Sequence, residues 1–175
     1  MDYTLPLNGL AQGRTVFDWK AGKEFFEAFD NADILSSALD VHVTVEKSGR
    51  YIGIDLDIEG YVTVPCDRCL EDLDLPVSAA PRFSVKFGEA PQEQAEDPKE
   101  GEREILYLPS SDADLDLSQL IYDFVSLSLP LQRVHPEGGC NPEMVKYLGH
   151  EESSPQVPEG GDNPFAALKG LFDGK

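Results

Sequence analysis

Val41, Val43 and Val45 alternate with His42, Thr44 and Glu46. After Lys47–Arg50 the same alternation resumes, with Ile52, Ile54, Leu56 and Ile58 set against Gly53, Asp55, Asp57 and Glu59. Successive side chains of a strand point to opposite faces, so this period of two predicts a meander with one buried apolar face and one acidic solvent face. Lys47-Ser48-Gly49-Arg50 reads as the turn between the first two strands. Gly60 punctuates the second run, and Val62 and Val64 continue it. Short strands are expected around Leu73, Leu75 and Val77, around Phe83, Val85 and Phe87, and over Ile105 to Leu108. Tyr3 to Leu10 alternates more loosely and is also read as a strand.

Two segments carry the helical period instead. Ala21 to Asp30 holds Phe25, Phe26 and Phe29, which predicts a short helix ending near Asp30-Asn31. Asp116 to Leu129 gives the longest helix, with Leu117, Leu120, Ile121 and Phe124 at i, i+3, i+4 and i+7. Asp116 is the expected N-cap, Gln119 would complete a capping box, and Pro130 stops the helix.

The pattern fails in two places. The stretch Glu89 to Glu104 holds seven acids, two bases and no large apolar side chain. It lacks the apolar surface to offset its ordering entropy, so residues 89–104 are expected to be a mobile acidic loop. Gly149 to Asp162, with Pro155, Pro158 and Gly160-Gly161, reads as a flexible linker. Beyond it, Asn163-Pro164 resembles a helix start, and Phe165, Leu168, Leu171 and Phe172 would share one face of a short helix. The expected fold is therefore α+β: a mainly antiparallel sheet, a meander with barrel closure left open, packed by one or two helices. Residues 1–148 form one domain, 149–162 a disordered linker, and 163–175 a short amphipathic helix suited to docking on a partner.

Charge narrows the function. The chain has 14 Lys and Arg against 33 Asp and Glu, a net charge of −19. Such a surface repels nucleic-acid phosphate at long range and attracts basic proteins. No apolar run approaches the length of a membrane span, and the first residues lack the basic start and apolar stretch of a signal peptide. Three cysteines, an odd count with one close pair, argue against a secreted disulfide framework, so a cytoplasmic location is expected.

The sharpest chemical motif is Cys66-Asp67-Arg68-Cys69. Two thiolates at this spacing can grip one soft metal ion from a tight turn. A four-coordinate zinc site needs two more ligands, and His135 and Cys140 are the candidates. A redox pair usually sits at a helix N-terminus; this one follows a strand and precedes Glu71, Asp72 and Asp74. Two reduced cysteines at a strand end are the plainer alternative. His42 falls on a polar strand face and His150 in the linker. No phosphate loop, nucleophile elbow or carboxylate pair marks an enzyme or a small-molecule substrate.

Three ordered stretches carry a family resemblance. Gly60 to Glu71, reading GYVTVPCDRCLE, resembles the strand and Cys-bearing signature of the YceD family. Asp116 to Pro130, followed by His135 and Cys140, is similar to that family's helix, its Leu-x-Leu-Pro stop and its Cys-bearing loop. Asn163 to Lys169, reading NPFAALK, is similar to its ending. The resemblance runs over about residues 35–172 and implies a role in large-subunit ribosomal RNA accumulation, hence ribosome assembly. Many relatives carry a second Cys-x2-Cys where this chain has Cys140 with His135 upstream. The expected function is that of a non-enzymatic factor binding a basic ribosomal protein or a pre-ribosomal RNA–protein particle. A direct RNA binder is an alternative, through Arg14, Lys20, Lys23, Arg82, Lys86 or Arg133 with stacking by Phe17, Trp19, Phe83 or Phe87. A small zinc-binding structural or regulatory domain is another.

Overall fold

The computed structural model describes residues 3–88, 103–109 and 113–148. They fall in two units, Met1–Cys140 and Asn141–Lys175. The chain order of the first is β1 (Thr4–Pro6), a 3-10 turn (Leu7–Gly9), β2 (Gly13–Gly22), α1 (Lys23–Glu27), β3 (Ser36–Ser48), β4 (Tyr51–Pro65), β5 (Asp72–Ala79), β6 (Arg82–Phe87), β7 (Glu104–Leu108), β8 (Asp114–Asp116) and α2 (Ser118–Ser128). The main sheet runs β2-β3-β4-β6-β7, with β5 also on β4; β1 and β8 pair separately.

β4 organises everything. One edge pairs with β3 along the full length, from Ser36↔Thr63 to Ser48↔Tyr51. The other edge is shared. Its C-terminal half takes β5, from Ile58↔Ala79 to Pro65↔Asp72, and its N-terminal half takes β6, from Ile52↔Val85 to Asp55↔Arg82. The register does not slip between them, so β5 and β6 are one long strand interrupted at Ala80-Pro81. Proline has no N–H for the ladder, yet Leu56 N still donates to the Pro81 carbonyl at 3.0 Å. Gly60 lies inside β4 at φ +145°, and a Cβ there would meet the Ala38 carbonyl oxygen at 2.1 Å. Glycine is what lets β3 and β4 approach at that point.

The alternation sorts as expected. Val41, Val43, Val45, Ile54, Leu56, Ile58, Val62 and Val64 are fully buried, while Asp57 and Glu59 face solvent. Each such aliphatic side chain contributes about 1.5–3 kcal/mol. α2 covers this face, with its Ile121 and Val125, and Leu117 just before it, innermost. Phe124, expected in the buried row, is half-buried and meets Phe83 edge-on at 5.7 Å. The sheet does not close into a barrel: β2 and β7 remain its outer strands, and β7 joins β6 in parallel.

Several local expectations are corrected. β2, a ten-residue strand, fills a stretch to which no element was assigned and takes Ala21 and Gly22 from the expected first helix, and only Thr4–Pro6 of the first stretch is a strand. The first helix shrinks to five residues, with Asp30 at φ 53° beyond it. The second begins at Ser118, because Asp114–Asp116 is drawn into pairing with β1. Asp116 Oδ1 accepts from Ser118 N and Oγ, and Gln119 bonds Asp123, so no capping box forms. At the end of the acidic stretch, Glu104 opens β7 and Arg103 bonds Asp55 and the Phe83 carbonyl. Residues 89–102 lie outside the described residues. In the second unit, α3 (Pro142–Leu148) follows Asn141, whose Oδ1 accepts from Glu143 N at 2.9 Å.

Candidate metal centre

The hairpin formed by β4 and β5 turns through Cys66–Glu71. Cys66 N donates to the Glu71 carbonyl at 2.8 Å, and Leu70 N to the Cys66 carbonyl at 2.9 Å. Leu70 takes φ 59°, a left-handed conformation that costs a side chain about 1–2 kcal/mol. This fold of the turn buries both sulfurs, and Cys66 and Cys69 are among the least exposed residues of the chain.

The loop after α2 is strapped to that turn. Asp67 N donates to the Arg133 carbonyl at 2.7 Å, and Arg133 N donates back to Asp67 Oδ2 at 2.7 Å. The strap carries His135 and Cys140 into place. Cys69 Sγ lies 3.4 Å from His135 Nδ1, Cys66 Sγ 3.9 Å from Cys140 Sγ, and Cys140 Sγ 3.9 Å from His135 Nδ1. The ligand atoms of Cys66, Cys69, His135 and Cys140 all lie within 4.8 Å of one another. The four residues singled out in the sequence thus converge.

The spacing can be tested against chemistry. A disulfide needs about 2.05 Å between sulfurs, and these cysteines are free. A tetrahedral zinc with bonds of about 2.0–2.3 Å sets its ligands roughly 3.5–3.8 Å apart, close to the separations observed. His135 is also oriented as a ligand. Its Nε2 sits 3.1 Å from the Asp72 carbonyl, which can only accept, so a neutral ring carries its proton there and turns Nδ1 to the sulfurs.

The electrostatics show how the four donors stand without an ion among them. Burial pushes the Cys66 thiol up, but the amides of Cys69, Arg68 and His135 and the Cys69 thiol outweigh it and hold Cys66 at about 6. Cys140 is raised by burial and by the two neighbouring thiols. His135 is raised, first by Cys66 beside it. Three thiols cannot all ionise in one place without a cation, so the donor set fits a divalent metal that takes up the excess negative charge.

The remaining candidates separate from this cluster. His42 is exposed, hydrogen-bonded to Asp18 at 2.5 Å and raised chiefly by that bond. His150, Phe165, Leu168, Leu171 and Phe172 lie outside the described residues. Of the aromatics considered for stacking, Phe83 is buried, Phe17 and Trp19 are half-buried, and Phe87 is exposed. Lys20 pairs with Asp40, Lys23 with Glu27, and Arg133 with Asp33 and Asp67. The sequence reading missed the Asp67–Arg133 strap; nothing in the spacing of those two residues announces it.

A mainly antiparallel open sheet, one covering helix and a Cys3His cluster that brings the β4–β5 hairpin together with a distant loop define a small α+β protein with a candidate metal centre. The model of the family described as large ribosomal RNA subunit accumulation protein YceD matches residues 54–172, and the chain belongs to that family. The match starts within β4 and takes in all four cluster residues. Nothing among curated proteins and nothing among solved structures matches the chain.

Proposed function

We propose that this protein is a non-enzymatic factor in large-subunit assembly, acting by binding a basic ribosomal protein or an RNA–protein intermediate so that large-subunit ribosomal RNA accumulates. The family match over residues 54–172 carries this reading. The net charge of −19 supports a basic protein partner, met by electrostatic attraction. Direct recognition of RNA is less well supported, since Lys20, Lys23, Arg103 and Arg133 are each engaged by carboxylates. No helix among the described residues is long and apolar enough to cross a membrane. A cytoplasmic site of action follows from the assembly role.

Within this reading Cys66, Cys69, His135 and Cys140 hold a structural zinc. The ion would fix the β4–β5 turn against the loop after α2 and leave no open coordination position for chemistry. The segment bearing Phe165, Leu168, Leu171 and Phe172 serves as a second attachment, docking as a helix. The test is to purify the untagged protein from cells and identify what accompanies it. Large-subunit precursors or a basic ribosomal protein are expected, released by salt and depleted when residues after Gly149 are removed. Copurification of neither overturns the reading.

A further inference from the structure

The turn that holds the cysteines also displays something. Leu70 adopts a left-handed backbone that glycine or asparagine would take at less cost, and its side chain is 68% exposed. It therefore gives nothing to the core in return for its strained conformation. On the strapped loop, Leu131 is fully exposed, and Leu127 on the last turn of α2 is 78% exposed. Both loops are held in place by the reciprocal Asp67–Arg133 backbone and side-chain bonds, so the leucines are presented rather than loose. Solvent-facing apolar side chains on a fixed scaffold are what an interface uses as anchors.

The charge around them says what they meet. With both members of the Arg133 ion pairs counted, Asp33, Asp67, Glu71 and Asp72 outnumber Arg68 and Arg133 around the tip. An apolar anchor in a negative surround complements a positively charged protein segment that carries an apolar side chain, and repels phosphate.

We propose that the β4–β5 tip and the strapped loop, with Leu70 and Leu131 as anchors, form the face that docks a basic protein segment. The proposal rests on the partner-binding reading above and locates its contact. Full-length protein is titrated with each basic protein stripped by high salt from purified large ribosomal subunits, one at a time, as wild type, Leu70→Asn, Leu131→Ser and Val16→Ser. Val16 is an exposed residue of the outer strand β2 and serves as control.

At least one stripped protein binds the wild type. Leu70→Asn and Leu131→Ser each weaken that binding by about thirtyfold or more, as anchor residues do. Val16→Ser binds as wild type. Leu70→Asn keeps a melting temperature at or above wild type, because asparagine tolerates the left-handed turn. Unweakened binding by both tip variants, with a basic protein still bound, overturns this face and leaves the partner reading standing. Failure of the wild type to bind any stripped protein overturns this face and the basic-protein form of the partner reading, and leaves the RNA–protein intermediate. Loss of binding to large-subunit ribosomal RNA at the tip, with protein binding intact, replaces the protein occupant by RNA and overturns the proposal.

Discussion

β4 ends in a turn at each end, and the two turns are closed by different means. At its start, Ser48↔Tyr51 leaves Gly49 and Arg50 as a two-residue loop with Gly49 at φ 61°. Local backbone chemistry makes most of that closure, with one bond from outside, Gly49 N donating to Gln12 Oε1 at 2.9 Å. At its end, the turn spans Cys66–Glu71 and places a leucine at φ 59°. That turn is secured from outside, by Arg133, His135 and Cys140, more than sixty residues away. The lesson is that a hairpin closed chiefly by its own residues needs little from outside, whereas one held by distant side chains depends on everything that delivers them.

The comparison breaks most sharply when the clasp is opened. Cys69→Ser, or a strong chelator acting on wild type, should lower unfolding stability by more than about 4 kcal/mol, the range of metal-site losses. Hydrogen exchange should then quicken in Cys66–Glu71 and in the loop after α2 while the Gly49 turn stays protected. Equal loosening of both turns, or no zinc by elemental analysis of chelator-free protein, would sink the distinction.

A smaller effect is expected when the strap alone is cut. Asp67→Ala removes the acceptor of Arg133 N and should cost about 1–2 kcal/mol in urea unfolding. It should also weaken metal retention in a competition with a chromogenic chelator; unchanged retention would mean that the strap does not position His135.

The left-handed positions of the two turns should respond unequally. Gly49→Ala should destabilise by about 1 kcal/mol, although nothing lies within 4 Å of the new Cβ. Leu70→Gly should change stability by less than that or raise it, since relief of strain offsets the looser unfolded chain. Thermal melts of the pair decide the matter, and equal losses would show that Leu70 packs more than its exposure implies.

The smallest effect lies on the open face between the turns. His42 is raised above its usual value by Asp18, with Asp40 and Asp57 also nearby, so the stabilising contribution of this pair is present below about pH 6.5. It is lost as pH rises through the raised value. The melting-temperature gap between wild type and His42→Gln should therefore narrow from pH 6 to pH 9. A gap that widens instead would mean that His42 acts through its neutral ring.

How far the sequence could be read follows the same division. Val41 to Ile58 announced their strands because a period of two with one apolar face leaves a single register that buries it. The convergence of the four cluster residues was legible because Cys66 and Cys69 at this spacing suit two ligands on one ion, and His135 and Cys140 were the side chains able to complete four. Gly13–Gly22 was not read as a strand, although Phe17 and Trp19 alternate with Val16, Asp18 and Lys20, because the exposed Val16 and the charged neighbours blur the apolar face at a sheet edge. The helix start at Asp116 was misplaced because pairing with Thr4, far away in sequence, overrides a local capping signal. α3 carried the same Asn-Pro opening as the segment at Asn163 and went unread there.

The clasp also sets an order in time. Cys140 lies 74 residues after Cys66 and is the final residue of the first unit. At translation rates of about 5–20 residues per second, the first thiol is made roughly 4–15 s before the last ligand. Through that interval the hairpin carries two of the four candidate donors. A nascent chain released before Cys140 keeps its sheet-forming sequence but has no means of closing the ring of donors around an ion.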